Sequence, residues 1–345
     1  QGGKGRRVHH VVLAPDFSVV DQIVEFLGKR GRLDYDGRPI FGMSSIEFTD
    51  ELMKISKDIM IIPAHAWTPW FGVFGSMSGF DSLEECFAEK TKYIHAIETG
   101  MSSTPDMNWR MKFLDDKSIV SFSDAHSGYP WRLGREACVF DIKEINYKNI
   151  IEAVKTRKGF SSTIETKPSY GKYHFDGHRN CGVSFPPDET KKLKGICPKC
   201  RKPMTIGVAY RVEELANRPE GFLPKDAIPF KELIPLSEIV SLFTGTGVAT
   251  KKTWDVYNQL INKFGTEFNV LLNAPEVELK KIVKEKLVDA ILKNRDGKIF
   301  VKPGFDGEYG KPMLDGDDML DNKVVSGTDA RSALTRSPQK GLRDF

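Results

Sequence analysis

The tetrapeptide Ser123-Asp124-Ala125-His126 closes an apolar run, Ser118-Ile119-Val120-Ser121-Phe122. Along an extended chain Asp124 and His126 project to the same side. An imidazole nitrogen and a carboxylate oxygen so placed form a usable ligand pair for zinc, manganese or iron. A second apolar run, Met60-Ile61-Ile62-Pro63-Ala64, ends in His65. A third begins at His9-His10, and adjacent residues of a strand face opposite ways, so one of the two is expected to look inward. Glu98 ends a fourth run, where it could bind metal, orient a ligand or touch a substrate. Strand ends bearing such groups predict a metal centre that activates water and clamps phosphate oxygens. Phosphoester hydrolysis suits that donor set. Cys86 and Cys138 have no partner in view for acyl transfer, and no nucleophile-elbow pattern appears.

The elements that must hold these residues follow from alternation. Strand-like runs at 8–14, 60–66, 95–99, 118–123 and 137–142 alternate with helix-like runs at 18–30, 81–90, 108–114 and 147–158. This pattern predicts a mainly parallel sheet or an α/β barrel, with its site at the C-terminal ends of the strands. Five strands do not close a barrel comfortably, so the chain is expected to begin inside this domain. At 345 residues, more than one domain is expected. No apolar run reaches membrane-span length, and the first residues lack a signal-peptide core. A net charge of +4 says little about nucleic acid. Five cysteines, three of them clustered, argue against a disulfide framework and for a reducing cytoplasm with one metal site.

Beyond residue 165 the character changes. Cys197-Pro198-Lys199-Cys200 is a knuckle that can bite one tetrahedral zinc, and His178-x-x-Cys181 supplies a second pair at the same spacing. His174 is the reserve ligand. Lys191, Lys192, Lys194, Lys199, Arg201 and Lys202 surround the knuckle, either as a solvated surface or as a phosphate-contacting face. Residues 209–310 read mostly as helices. There Gly245-Thr246-Gly247 opens a helix beside Lys251 and Lys252, which is an arrangement that can receive a nucleic-acid phosphate or merely cap a helix. The stretch 311–345 loses apolar residues and reads as disordered. It ends in Gln339-x-x-Leu342-x-x-Phe345, which resembles a sliding-clamp (PCNA) binding box in which a short helical turn plugs an apolar pocket.

Val8-His9-His10-Val11-Val12-Leu13-Ala14, Pro63-Ala64-His65-Ala66 and Ser123-Asp124-Ala125-His126 resemble successive metal motifs of the PHP (polymerase and histidinol phosphatase) family. Combined with the zinc knuckle and the glycine-turn helical lobe, the chain from Gly5 to about Gly310 resembles the endonuclease Q family of archaea and some bacteria. The resemblance implies a (β/α)₇ PHP barrel over residues 1–165, a zinc-binding domain over 166–208, a helical DNA-binding domain over 209–310 and a clamp-binding tail over 311–345. It implies one structural Zn²⁺ and two or three divalent ions (Zn²⁺, Mg²⁺ or Mn²⁺) in the barrel. His65, Asp124 and His126 carry over as ligands, then His9 with His10 as the alternative. The implied reaction is cleavage of duplex DNA on the 5′ side of deaminated bases (uracil, hypoxanthine, xanthine) or abasic sites. The family's His-x-His after its first strand is absent from this sequence, as is the glutamate before the His9 strand. The metal site of this 345-residue chain is therefore expected to be crippled on its own.

Base selection requires unstacking. Trp67, Trp70, Phe71, Phe74, Trp109, Tyr129 and Trp131 crowd the expected site, most as packing and a minority, with Trp67 and Trp131 foremost, as DNA contacts. The polar segment 170–180 is expected to close over a base pocket. Hydrogen bonding to a keto oxygen would separate uracil and hypoxanthine from cytosine and adenine. Two rivals stand beside the nuclease: a non-catalytic DNA- and clamp-binding adaptor, and a small-molecule phosphatase of the PHP type.

Overall fold

A computed structural model describes residues 5–34, 39–129 and 131–313. The Gln339, Leu342 and Phe345 box lies outside the described residues. In chain order the first part contains β1 (His10–Leu13), α1 (Phe17–Gly28), α2 (Ser45–Ile55), β2 (Met60–Pro63), α3 (Leu83–Phe87), β3 (Ala96–Glu98), α4 (Pro105–Trp109), β4 (Ser118–Val120), β5 (Ala137–Phe140), α5 (Tyr147–Thr156) and β6 (Phe160–Thr166). A small module follows, with β7 (Asp176–His178), β8 (Val183–Phe185), α6 (Pro187–Lys192) and α7 (Val208–Leu215). Then come β9 (Phe230–Leu233), α8 (Leu236–Thr244), α9 (Lys251–Phe264), α10 (Glu267–Leu272), α11 (Glu276–Lys280), α12 (Glu285–Arg295), β10 (Phe300–Lys302) and β11 (Lys311–Met313).

Local chemistry sets the helix starts. Asp16, Ser44, Ser82, Asn146, Thr250 and Thr266 each sit in extended backbone and accept the N–H three residues on. This satisfies one of the orphan donors of each first turn. The strands are short because their apolar runs are short. β2 is buried along its whole length, as a strand covered on both faces must be.

The strands are tied into an arc at the site. β1 pairs with β2 antiparallel, and β3 with β4 parallel. The Ala66 N–H donates to the Glu98 carbonyl (2.9 Å) and the Thr99 N–H to that of Val120 (3.0 Å), which aligns the ends of β2, β3 and β4. Ser121 Oγ donates to the Ile164 carbonyl (2.8 Å) and joins β4 to β6. Among the described residues the strands form separate small sheets and do not close into a barrel. The expectation of a mainly parallel sheet is met only in part, since β1 and β5 run antiparallel to their neighbours.

The expected boundary at 208/209 is crossed twice. α7 packs Val208 and Val212 into the core that contains Leu52, Trp67 and Phe74. Its buried Arg211 donates to the carbonyls of Phe74 (3.0 Å) and Phe80 (3.2 Å). β9 then pairs in parallel with β6. The zinc-knuckle module is thus an excursion from the sheet, and the chain returns to it before the helical lobe begins. A mostly local reading misses this return, because the partner of β9 lies some seventy residues upstream (Thr163 against Phe230). Segment 170–180 is also more structured than expected. The Phe175 N–H donates to the Gly304 carbonyl (3.0 Å), and Tyr170 is buried with its hydroxyl on Glu238 (2.8 Å).

Candidate metal centre and its surroundings

His9 precedes β1, and its ring stacks on Phe71 with centroids 4.4 Å apart. His65 follows β2 with φ of 33°, in the left-handed region that a residue with a Cβ rarely adopts. Three contacts hold it there. Its N–H donates to Glu98 Oε2 (2.6 Å), its Nδ1 meets Thr68 Oγ1 (2.8 Å), and its Nε2 lies 3.1 Å from His9 Nδ1. Two imidazole nitrogens at that distance share a proton or turn their lone pairs toward a common cation. Gly100, also left-handed at φ 51°, lets the chain pass directly over the His65 backbone.

Asp124 lies past β4, again with positive φ (42°). It sits 3.4 Å from His126 Nε2, and both are half exposed. His9, His65, Glu98 and Asp124 line one cleft of about 1510 Å³, with Phe71 and Phe122. Glu98 is buried, and burial, aided by Asp124 and Glu165, pushes its carboxyl up to about 8. A buried carboxylate set of this kind fits a divalent cation, which would reverse that shift. The expected ligands come together as two pairs, His9/His65 and Asp124/His126, and His9, His65 and Asp124 of these line the one cleft.

His10 points elsewhere. Its ring lies between Phe48 (5.4 Å) and Phe87 (5.6 Å), with Nε2 on Ser45 Oγ (3.2 Å). Burial, then the neighbouring His9, lowers its pKa to about 3, so it is neutral. Both histidines line the large cleft but on different partners: His9 meets His65, whereas His10 sits among Phe48, Phe87 and Ser45. Trp67 is likewise corrected. It is fully buried, with Nε1 on Asn108 Oδ1 (2.7 Å), and is core rather than a DNA contact.

Sequence reasoning missed an acidic interior. Glu136, Glu165 and Glu232 are buried behind Glu98. Glu136 accepts the N–H groups of Met101 (2.9 Å) and Thr166 (3.0 Å), and Glu165 accepts Thr99 Oγ1 (2.8 Å) and Ser121 Oγ (3.0 Å). Burial raises both carboxyls well above the usual range, Glu165 to about 7. The signal was present: each interrupts or flanks a short apolar strand, as in Glu136-Ala137-Cys138-Val139-Phe140.

The knuckle assembles as expected. Donor atoms of His178, Cys181, Cys197 and Cys200 all lie within 4.8 Å of one another, the one such group among the described residues. His178 offers Nδ1, which is 3.4 Å from Cys200 Sγ. Burial opposes ionisation of Cys197, but the N–H groups of Cys200 and Lys199 and the neighbouring thiols outweigh it and lower the thiol to about 6. Three sulfurs and one nitrogen around a common point suit tetrahedral zinc. Asp306 braces the module by accepting the Arg179 N–H (2.7 Å) and Thr205 Oγ1 (2.7 Å). Several of the surrounding cations are already engaged: Lys191 with Glu213 (2.8 Å), Lys192 with Glu189 (2.8 Å) and Lys199 with the Cys181 carbonyl (2.8 Å). The solvated-surface reading fits those three better than a phosphate face.

Gly245 ends α8 in the left-handed conformation, and Gly247 leads into α9. Lys251 and Lys252 are exposed at its first turn, Lys252 Nζ donating to the Thr244 carbonyl (2.9 Å). Trp131 packs against Tyr129 and Trp254.

This architecture has solved counterparts. The crystal structure of the lesion-specific endonuclease PfuEndoQ from Pyrococcus furiosus superposes with a TM-score of 0.80 at 30% identity, covering 93% of this chain and 78% of that one. The chain belongs to the endonuclease Q family. A second family structure, an endonuclease Q complex with a 27-mer duplex carrying an abasic lesion at its active site, gives a TM-score of 0.82 over 93% of this chain and 79% of that one, again at 30% identity. The family profile described as the MJ0043 C-terminal domain matches residues 235–298, which are α8 to α12. The uncharacterized protein MJ0043 of Methanocaldococcus jannaschii is 37% identical over 252 residues, 72% of this chain. This endonuclease Q relative spans only 31% of that protein's length. YqxK of Bacillus subtilis is 28% identical over 312 residues, 88% of this chain and 73% of its own.

Proposed function

We propose that this protein is a metal-dependent DNA repair endonuclease that hydrolyses the phosphodiester 5′ to a deaminated base (uracil, hypoxanthine or xanthine) or an abasic site. The observation that carries the reading is the convergence of His9, His65, Glu98 and Asp124 on one cleft in an endonuclease Q chain. The family complex with an abasic duplex supports the substrate class. His9, His65, Asp124 and His126 are proposed to hold divalent ions, with Glu98 as a further ligand. Such ions lower the pKa of bound water and neutralise phosphate charge.

The chain's own residues supply the preorganisation. Glu98 fixes the His65 backbone and Thr68 fixes its ring. That leaves one nitrogen of His65 turned to His9, so the ligand orientation is set before substrate arrives. The PHP-type barrel over 1–165, the zinc module and the helical lobe are proposed as one DNA-binding unit. Gly245, Gly247, Lys251 and Lys252 are proposed to face a phosphate. The box at Gln339, Leu342 and Phe345 is proposed to bind a sliding clamp.

The test is nicking of duplexes bearing one uracil, hypoxanthine or abasic site by the full-length protein, beside Asp124→Ala. Lesion-dependent 5′ nicking that Asp124→Ala abolishes is the expected result. Lesion-independent binding without nicking, with a single zinc per chain, would instead mark a non-catalytic adaptor.

A further inference from the structure

The segment after the Asp124/His126 pair carries an aromatic ladder that the metal centre does not use. Tyr129 stacks on Trp131 with centroids 4.5 Å apart and planes 7° from parallel. Trp131 leans on Trp254 of α9 (5.4 Å), and Trp254 meets Tyr257 edge-on (4.5 Å). The Tyr257 hydroxyl is anchored on Glu267 of α10 (2.7 Å). The ladder thus runs from the buried core of the helical lobe to the metal loop, and its last ring is exposed among the described residues. Tyr129 is 59% exposed, three residues past His126. A turn holds it in place: the N–H groups of Arg132 (2.9 Å) and Leu133 (3.2 Å) both donate to its carbonyl.

Aromatic rings exposed singly are common on protein surfaces. This one is rigid, because parallel stacking fixes the plane of the ring. One cation is tied to the same turn: Arg132, whose N–H meets the Tyr129 carbonyl, carries its guanidinium over the partly exposed Tyr309 (5.8 Å). A flat π-face with a cation on its own turn is what binds an unstacked nucleobase with its phosphate. Trp131 is less suited to that role, since it already packs against both Tyr129 and Trp254.

We propose that Tyr129 is the platform on which the unstacked lesion base lies, and that the Trp131–Trp254–Tyr257 ladder positions it. This rests on the endonuclease reading above. An enzyme that reads a damaged base must take it out of the stack, and a ring three residues from the metal pair is within reach of a base beside the phosphate held there.

The experiment measures equilibrium binding in an Asp124→Ala background, so that the DNA stays intact. Duplexes bearing uracil, hypoxanthine or an abasic site are compared with a matched duplex. Tyr129→Ala is expected to weaken binding of the uracil and hypoxanthine duplexes about tenfold, the loss of one base–aromatic stack. It should leave the abasic duplex, which has no lesion base, unchanged. Tyr129→Phe should behave as the parent, because stacking needs the ring and not the hydroxyl. Trp254→Leu should lower the same two affinities while sparing the abasic duplex. Equal losses on all lesions, or no loss with Tyr129→Ala, would overturn the proposal. If the parent itself fails to prefer lesion duplexes over the matched one, the endonuclease reading fails instead, and the two failures are distinct. Tyr129 is exposed, so thermal unfolding of its variants should match the parent and exclude a folding defect.

Discussion

Gly100→Ala tests whether backbone packing beneath the metal centre sets the ligand geometry. A Cβ at Gly100 would lie 2.5 Å from the His65 Cβ and 2.6 Å from its Cα. Carbon atoms in contact need roughly 3.5 Å, so about 1 Å of movement is required. His65 has little room to give. The Ala64 N–H is bonded to the His9 carbonyl (3.0 Å) and the Ala66 N–H to that of Glu98 (2.9 Å), so both sides of His65 are pinned. The left-handed conformation costs a Cβ-bearing residue about 1–2 kcal/mol, and overpacking a rigid site costs about 1–3 kcal/mol more. The sum is a destabilisation of about 2–5 kcal/mol. A shift of about 1 Å at a reacting group can also lower turnover by about 100-fold. Gly221→Ala is the matched control, left-handed at φ 81° but facing open space, and should show only the conformational cost. The assays are thermal unfolding, Mn²⁺ affinity by calorimetry on zinc-loaded protein, and nicking of an abasic duplex. Gly100→Ala is expected to lose stability and Mn²⁺ affinity well beyond Gly221→Ala. If the two variants behave alike, the packing argument is wrong.

Other perturbations probe separate parts of the chain. Cys197→Ser removes one of four convergent donors, so after dialysis against a mild chelator the variant should hold one zinc per chain fewer than the parent. Proteolysis should then cut first between 176 and 205, and a zinc content equal to the parent's would refute the ligand set. His10→Phe should keep nicking within a few-fold, since His10 is neutral and sits between aromatic rings, whereas His9→Ala should abolish it; the reverse would exchange their roles. Burial raises the Glu165 carboxyl from its unfolded value of 4.5 to about 7, with Glu98, Glu136 and Glu232 nearby. The stability it contributes is present below pH 4.5 and lost as pH rises through about 7. Glu165→Gln should therefore flatten the fall in melting temperature between mildly acidic and alkaline pH, and an unchanged slope would count against the buried acid.

Spacing determined what the chain could hold locally. Cys197-x-x-Cys200 and His178-x-x-Cys181 needed only tight turns to present their donors, so the zinc module was legible residue by residue. Asp124-x-His126 was legible as a close pair from its spacing, although Asp124 lies past β4 in a left-handed conformation and not in the extended strand whose alternation suggested it. The helix starts were also visible, since caps such as Ser44 and Thr250 act over three residues. Four features depended on partners far along the chain and were settled only by tertiary packing. The separate surroundings of His9 and His10 needed Phe48 of α2 and Phe87 of α3 to pack against the His10 ring. Trp67 became core because Asn108 came to meet its indole. Glu136, Glu165 and Glu232 formed one acidic interior only when β6 and β9 paired across the zinc module. Tyr129 gained its rigid, open face from Trp254, a residue of the helical lobe. Short-range stereochemistry is written in the sequence pattern. Which side of a strand is buried, and what stands opposite it, follows from the pairing of segments that the pattern leaves unspecified.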